Sequence, residues 1–326
     1  MLPKIQHYVP RFILRNFCFN EEEQIYVFDK KTEKVFQTNI KNVAAESGFY
    51  NFKDNNIKFS IERNLNNLET TVAEIIKKII EQESLSNITK DERIKLSVFI
   101  AAQFFRVKQK RIIMKQVYEA VLDHIKKTGG DPNRIPGIIS NDEELNKLDI
   151  ASLIDVIVES TPVFYDKTWM LFKSTKAQKF YISDNPITLQ NHNDFSPYGN
   201  LGLKFRGIEI YFPISSGLSL GIFESSMEDT IRWSHSYLKD KKTTDLKVFG
   251  IDKKTIQDLK KLTDGLETGK SIQAEDGNVV NLNSLQVAFS ARYVFSSNQD
   301  FDLVQKMLKK NPKLKEPPKM VISHSN

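Results

Sequence analysis

The sequence predicts an α+β fold that is mainly helical and carries small antiparallel β-hairpins. Apolar residues recur at helical spacing over much of the first half, β-prone segments come in pairs joined by polar turns, and helical patterns return after residue 226. With 326 residues, 40% of them hydrophobic and 27% charged, the chain has the composition of a globular protein and enough length to bury a core.

The N-terminal segment reads "QHYVPRFILRNF" and predicts a short helix. Pro10 is suited to its first residue, because the N–H that proline lacks would be unpaired there. The segments "QIYVFDK" (24–30) and "KVFQT" (34–38) then predict a hairpin, which a short strand at "GFYNF" would extend.

Three helices are expected in the remainder of the first half. Ser60 is the expected N-cap of the first, whose apolar residues recur every three or four positions. Thr89 opens the second with a capping-box pattern, "TKDE", and this helix runs to Gly129 and Gly130, a length that predicts a kink or a break. The third follows a polar loop (131–145) and covers 148–160.

After Pro162 the pattern changes to that of strands. Two strand pairs are predicted, "KTWMLFKST" with "KFYISD" and "IEIYFPIS" with "LSLGIF". Helices are expected at 226–238, 253–263, 282–291 and 300–308, with a strand at "RYVFSS". We therefore divide the chain into a mainly helical part with an N-terminal hairpin (1–160), a mixed part (161–308) that either folds separately or shares its core, and a disordered tail (309–326).

Composition also excludes several classes of protein. The single cysteine, Cys18, excludes an intramolecular disulfide framework, and no Cys/His cluster has zinc spacing. The phosphate-loop, GxGxxG and HExxH patterns are missing. Without a signal-peptide core or a run of eighteen apolar residues, we expect a cytoplasmic protein with no membrane partner. The net charge of +6 is compatible with polyanion binding without requiring it.

The stretch "LSVFIAAQFFRV" (96–107) is apolar nearly all round, which predicts a helix buried on every side. Gln103 and Arg106 interrupt it on one face, and burial of a guanidinium requires an anionic partner. Glu62 and Glu69, seven residues apart on the preceding helix, both qualify. Either this is an internal ion pair that fixes packing, or one glutamate is a general base or magnesium ligand and Arg106 neutralises phosphate charge.

Two further segments carry candidate side chains. In "YISDNPITL" (181–189), Asp184 ends a strand beside a rigid turn, a place typical of catalytic or metal-binding carboxylates, although Asp and Asn before Pro also form turns for their own sake. His7 lies one turn ahead of Arg11. It suits a proton carrier in phosphodiester chemistry, or a half-buried histidine bonded to the backbone.

Six motifs resemble the bacterial domain-of-unknown-function family 4238 in order and spacing over residues 6–298: "QHYVPRFILRNF", "FYNF", "SIERNLNNLE", "IAAQFFR", "FYISDNPI" and "NLNSLQVAFSARYVFSS". The resemblance implies no activity, because the family has none assigned. It does imply that the polar motif residues form one pocket, with the N-terminal segment as its lid or wall. These motif residues are His7, Pro10, Arg15, Asn16, Phe17, Glu62, Glu69, Gln103, Arg106, Ser183, Asp184, Asn185 and Pro186.

We therefore expect a phosphodiester-cleaving enzyme, a nuclease of the toxin or phage-defence type that acts on RNA or DNA. The hypothesis assigns catalysis to His7, Glu62 and Asp184, Mg²⁺ or Mn²⁺ binding to Glu62, Glu69 and Asp184, and substrate binding to Arg11, Arg15, Gln103, Arg106 and Asn185. The alternative is a non-catalytic module that binds a nucleotide, a nucleic acid or a protein. A third interpretation is that the polar residues form only a buried hydrogen-bond network.

Overall fold

The computed structural model describes residues 5–54, 57–135, 139, 142–193, 201–239 and 252–319, and it confirms the α+β class. Within these residues the α-helices are α1 (Arg11–Arg15), α2 (Glu62–Gln82), α3 (Lys90–Phe105), α4 (Lys108–Lys127), α5 (Asp142–Tyr165), α6 (Ser226–Lys239), α7 (Lys253–Thr268), α8 (Asp276–Phe289) and α9 (Asp302–Lys310). The strands are β1 (Ile5–His7), β2 (Gln24–Asp29), β3 (Lys34–Asn39), β4 (Ala45–Ser47), β5 (Asn51–Asp54), β6 (Ile57–Ser60), β7 (Thr168–Lys173), β8 (Ile182–Ser183), β9 (Thr188–Asn191), β10 (Ile208–Pro213), β11 (Leu218–Phe223), β12 (Ile272–Gln273) and β13 (Tyr293–Ser296).

The strands form two larger sheets and two isolated pairs. One sheet has the order β12-β7-β11-β10-β9 and the other β3-β2-β13-β8, while β1 pairs with β4 and β5 with β6. All of these pairings are antiparallel except that of β12 with β7. The expected hairpins β2–β3 and β10–β11 are both present in these sheets.

The largest hydrophobic cluster takes residues from both sides of the expected division at residue 160. Leu14 and Phe99 pack in the same cluster as Ile182 and Phe212, and α5 itself runs through residue 160. Burial of apolar surface that is common to both parts couples their stability. None of the described helices combines the length and apolarity needed to cross a bilayer.

The helix boundaries of the first half follow local signals closely. Thr89 caps α3, with its hydroxyl accepting from the Glu92 N–H and the Glu92 carboxylate accepting from the Thr89 N–H. The expected break falls at Arg106 and Val107, which separate α3 from α4. Two starts differ by one residue. Pro10 occupies the N-cap position of α1, and Ile61 occupies that of α2, although the Ser60 hydroxyl still accepts from the Glu62 N–H at 3.3 Å.

Two predicted strand pairings are wrong. The "GFYNF" segment pairs with β6, not with the β2–β3 hairpin. Strands β7 and β8 belong to different sheets. The turn of the β10–β11 hairpin lies between the segment that follows β7 and the segment that precedes β8, and this keeps the two strands apart. Ser174 and Phe180 each donate a backbone N–H to this turn, at Gly217 and Ser216.

The expected disordered tail, residues 309–326, differs from that expectation over its first eleven residues, 309–319. A 3₁₀ helix spans Pro312–Lys315, and Gln109 Nε2 donates to the Pro318 carbonyl oxygen at 2.7 Å. A segment that buries little apolar surface is thus held by polar contacts to α4 and, through Lys315, to Glu33. Residues 320–326 of the expected tail, like parts of the expected loop at 131–145, lie outside the described residues.

A buried glutamine fixes the N-terminal strand beside the start of α2. Gln6 is fully buried, and its amide nitrogen donates to Asn51 Oδ1 at 2.9 Å and to Ser60 Oγ at 3.2 Å. Its amide oxygen accepts from the Tyr50 N–H at 2.6 Å. Because Ser60 precedes α2 directly, these bonds bring His7 next to the first turn of that helix.

Candidate functional site

His7, Arg11, Arg15, Glu62 and Glu69 line one cavity of about 380 Å³ between the N-terminal segment and α2. Five of the predicted site residues, far apart in sequence, are therefore together in space. A cavity of this size lies within the usual range for small-ligand sites. Its remaining wall consists of Phe12, Asn66, Thr70 and Ala73.

Helical spacing explains the contribution of α2 to this cavity. Glu62, Asn66, Glu69 and Ala73 follow one another at steps of four, three and four residues, which keeps them on one face of the helix. The apolar face of α2, with Val72, Ile75, Ile76 and Ile79, packs in the core. The cavity therefore lies beside the core, at the polar edge of the same helix.

The ion-pair partner of the buried Arg106 is Glu69, one of the residues that line the cavity. The guanidinium donates to Glu69 Oε1 at 2.6 Å and twice to Gln103 Oε1, at 2.9 and 2.7 Å, and its side chain is only 1% exposed. Gln103, itself fully buried, donates its amide to the Tyr8 carbonyl oxygen at 2.9 Å. Neither Gln103 nor Arg106 lines the cavity. Both side chains position the residues that do.

Glu62 lacks a partner of this kind. Its carboxylate forms no hydrogen bond or ion pair with any residue that the structure describes, and Arg106 is paired with Glu69 instead. Burial and the neighbouring Glu69 charge raise the pKa of Glu62 to about 7, against a smaller lowering by Arg106. A carboxyl group at the start of a helix normally ionises easily, so burial and repulsion outweigh the helix dipole here.

His7 shifts in the opposite direction. Burial lowers its pKa, with Arg11 adding to the effect and the backbone of Ile40 opposing it. Its Nε2 atom is buried without a hydrogen-bond partner in the described structure. At neutral pH the imidazole is therefore uncharged, with one ring nitrogen uncommitted.

Arg11 and Arg15 are held at the cavity by a single carboxylate. Arg11 Nη2 lies 2.7 Å from Glu23 Oε2, and Arg15 Nη2 lies 2.6 Å from Glu23 Oε1. The two arginine side chains are 45% and 52% exposed. Exposed ion pairs contribute about 0 to 1 kcal/mol, so a phosphate group can replace Glu23 as the partner of these arginines at little cost.

Asp184 lies apart from this group of residues. It lines a different cavity of about 560 Å³ and is fully buried. Its carboxylate accepts three backbone N–H groups, from Ala291 at 2.7 Å, Arg292 at 2.8 Å and Tyr293 at 2.9 Å. The structure thus does not bring Asp184 together with Glu62 and Glu69 as the predicted metal-binding and catalytic set requires. The contacts of Asp184 instead fix the turn between α8 and β13.

The neighbours of Asp184 share this structural role. Ser183 Oγ donates to Gln286 Oε1 at 2.8 Å, Asn185 Nδ2 donates to the Phe289 carbonyl oxygen at 3.0 Å, and Gln286 Nε2 donates to the Pro186 carbonyl oxygen at 2.9 Å. Asn185, predicted to bind substrate, therefore contacts the end of α8. The Ser-Asp-Asn-Pro motif joins a strand to a helix.

Two carboxylates, those of Glu62 and Glu69, are available to bind a metal ion at the His7 cavity. Among the described residues, no group of three or more His, Cys, Asp or Glu side chains could hold a metal ion. Mg²⁺ is commonly bound by one or two carboxylates together with substrate phosphates. Glu62 and Glu69 fit that smaller role, in which the substrate completes the coordination.

A family model described as "Protein of unknown function (DUF4238)" matches residues 5–300, which include every residue of the His7 cavity. The chain belongs to the DUF4238 family. No curated protein and no solved structure matches it.

A serine motif in the second half does not form a nucleophile site. The sequence "GLSLG" (217–221) has the GxSxG spacing of the turn that carries the serine of α/β-hydrolases. Here Ser219 is fully buried within β11, whose neighbours are β7 and β10. The strand-to-helix turn that exposes such a serine is not formed.

Sequence reasoning missed three contributors to the His7 cavity. Asn66 lies one turn from Glu62, so helical periodicity alone could have identified it. Gln6 and Glu23 gave no such signal, because the partners of Gln6 are 44 to 54 residues away and those of Glu23 are 8 and 12 residues away. Contacts of that separation depend on the fold.

We predict that Asp184→Ala destabilises the fold by about 3 kcal/mol, because it removes the acceptor of three backbone N–H groups, of which that of Ala291 is buried and the other two are partly buried. Urea unfolding followed by circular dichroism measures this. The matched control is Asp155→Ala, an exposed aspartate on α5, which we expect to change the free energy of unfolding by less than about 0.5 kcal/mol. Equal stability of the two variants would contradict the structural role.

We also predict a pH-dependent stability change in Glu62→Gln. Since folding raises the pKa of Glu62 to about 7, the folded state binds this proton more tightly, and the wild type loses stability as pH rises from about 4.5 through 7. Glutamine cannot ionise, so the variant matches the wild type at pH 4 and exceeds it by about 1 kcal/mol at pH 8, a figure reduced for the partial exposure of the side chain.

The matched control for this prediction is Glu74→Gln, an exposed glutamate on the same helix and outside the cavity. Its effect on urea unfolding should be the same at pH 4 and pH 8. If Glu62→Gln also shows the same difference at both pH values, the assigned pKa shift is wrong.

Proposed function

We propose that the chain is a phosphodiester-cleaving enzyme that acts on RNA in the cytoplasm, as a toxin or phage-defence nuclease would, with His7 and Glu62 as its acid–base pair. The observation that supports this most is the opposite direction of two pKa shifts in one cavity. Burial lowers the pKa of His7 and raises that of Glu62 to about 7. Opposite shifts of neighbouring groups are typical of acid–base assignments in enzymes.

Near neutral pH the cavity holds an uncharged imidazole and a Glu62 carboxyl group that is about half protonated. His7 Nε2 has no partner but is buried, so the N-terminal segment must open before this atom can accept the proton of a ribose 2′-hydroxyl as the hydroxyl oxygen attacks the adjacent phosphorus. The protonated Glu62 carboxyl can donate its proton to the departing 5′-oxygen. The products are a 2′,3′-cyclic phosphate and a free 5′-hydroxyl, and a second proton exchange restores both groups.

Arg11 and Arg15 supply positive charge for the phosphate. Both line the cavity, and both can exchange Glu23 for a phosphate oxygen. Arg106 acts through Glu69, which it neutralises and holds in place. This arrangement keeps a second negative charge on α2 from repelling the substrate.

The net charge of +6 favours RNA as a polyanionic substrate. Mg²⁺ or Mn²⁺ enters the proposal as an auxiliary ion, which Glu69 would hold together with the substrate phosphate. The proton transfers assigned to His7 and Glu62 require only protein groups. We therefore expect the protein to cleave RNA in the presence of a chelator.

The test uses labelled RNA and DNA of one sequence, incubated with purified protein in Mg²⁺, in Mn²⁺ and in chelator. We expect the wild type to cut RNA under all three conditions and to leave DNA intact, because DNA lacks the 2′-hydroxyl. His7→Gln and Glu62→Gln should each reduce kcat at least about 100-fold. The rate should fall above pH 7 as Glu62 ionises, and at acidic pH as His7 gains a proton.

Glu74→Gln again serves as the matched control and should cut at the wild-type rate. If RNA is bound tightly and recovered intact, the site belongs to a non-catalytic binding module. If cleavage occurs and Glu62→Gln retains it, the proposed roles are wrong. Equal cleavage of RNA and DNA would contradict the role of the 2′-hydroxyl.

A further inference from the structure

A second cavity, of about 410 Å³, lies between the five-stranded sheet and helices α6, α7 and α8. It shares no lining residue with the His7 cavity. Its walls are largely apolar and include Met170, Phe172, Phe223, Met227 and Leu262. Pockets that bind small molecules commonly combine such walls with a few fixed polar groups.

A glycine allows two of the aromatic rings to lie over the sheet. A Cβ atom at Gly221 would lie 2.6 Å from the Phe172 ring and 2.7 Å from the Phe223 ring, closer than any side chain tolerates. The two rings pack edge to face, with their centroids 6.0 Å apart. Gly221 thus maintains an aromatic wall where any other residue would displace it.

The polar end of this cavity is built around Glu209. Its Oε2 atom accepts from the Tyr211 hydroxyl at 2.7 Å and from Gln190 Nε2 at 2.6 Å. Asn281 Nδ2 donates to Gln190 Oε1 at 3.0 Å, which fixes the orientation of that amide. Burial and the Glu209 charge raise the pKa of Tyr211, so its hydroxyl stays protonated and donates. The carboxylate is therefore fixed in orientation before any ligand binds.

The charge of Glu209 has no strong cationic partner. Its side chain is 12% exposed, and the nearest cationic candidate for Oε1 is His192 Nε2 at 3.8 Å, on a side chain that is 79% exposed. No lysine or arginine of the described residues forms an ion pair with it. Two comparable acids do have one, since Glu69 pairs with Arg106 and Asp29 with Arg292. A buried carboxylate without a cation is costly unless something supplies the charge.

We propose that this cavity binds a small amphipathic amine, whose ammonium group contacts Glu209 Oε1 and whose apolar body packs against Met170, Phe172 and Phe223. An ammonium group brings the missing charge and three hydrogen-bond donors. Aromatic edges and thioethers suit an aromatic or alkyl body. The ligand is therefore a primary amine with one apolar end, not an anion or a polyamine charged along its length.

Isothermal titration calorimetry of the full chain tests this with phenethylamine, tryptamine and octylamine as probes. For each ring or chain, the uncharged alcohol and the carboxylic acid of similar length are the comparison compounds. We expect at least one amine to bind at least tenfold more tightly than its alcohol, and the acids not to bind. This site is independent of the proposed phosphodiester chemistry, so neither result depends on the other.

Two variants identify the site. Glu209→Gln keeps the shape of the side chain and an oxygen acceptor for Tyr211, and should abolish the preference for the amine over the alcohol. Met227→Trp should fill the cavity and weaken amine and alcohol alike. Glu81→Gln, an exposed glutamate on α2, is the control and should bind as the wild type does.

Three results would overturn the proposal: no binding of any of the three amines, equal affinity for an amine and its alcohol in the wild type, or unchanged selectivity in Glu209→Gln. If Glu209→Gln fails to fold, the Met227→Trp variant decides. An amine that has the same affinity for this variant and for the wild type binds outside the cavity, and that result would overturn the proposal.

Discussion

The buried Arg106 guanidinium is the interaction on which the His7 cavity depends. A cation that is 1% exposed requires an anion, and Glu69 meets that requirement at 2.6 Å. Gln103 accepts from the same guanidinium and donates to the Tyr8 carbonyl oxygen, so the network also attaches the N-terminal segment. One ion pair thereby joins α2, α3 and the residue that follows His7.

The same pairing determines the chemistry of Glu62. Because Arg106 is committed to Glu69, the second glutamate on that face of α2 faces a neighbouring carboxylate without a cation of its own. Its pKa rises toward neutrality, while the pKa of the half-buried His7 is lowered. Burial raises the pKa of Asp184 as well, but the hydrogen bonds of this carboxylate differ from those of Glu62. Although it is more deeply buried, three N–H donors satisfy its carboxylate, and that satisfied environment suits a structural role.

Local patterns in the sequence predicted the parts of the fold and site that depend on near neighbours. The capping box at Thr89, the β10–β11 hairpin and the facing pairs Glu62 with Glu69 and Gln103 with Arg106 all follow from spacings of a few residues. The unmatched charge on Arg106 even predicted its partner helix. Periodicity, however, cannot choose between Glu62 and Glu69, since both lie on one face of α2.

Local sequence patterns could not predict contacts between segments that are distant in sequence. Asp184 accepts from residues 107 to 109 positions away, and nothing near "SDNP" distinguishes that arrangement from a catalytic one. Strands β7 and β8 were paired wrongly for a similar reason, because the β10–β11 turn, more than thirty residues later, comes between their flanking segments. The Glu209 cavity left no motif at all, since its polar end combines β9, β10 and α8.

The most direct test of this account is the ionisation of Glu62, followed by carbon-13 NMR of glutamate-labelled protein between pH 4 and pH 9, with the Glu62→Gln variant used to assign its carboxyl signal. The account predicts a carboxyl group that titrates with an apparent pKa of about 7. A midpoint near 4.5 would contradict it, since Glu62 would then be fully ionised at neutral pH and unable to donate a proton.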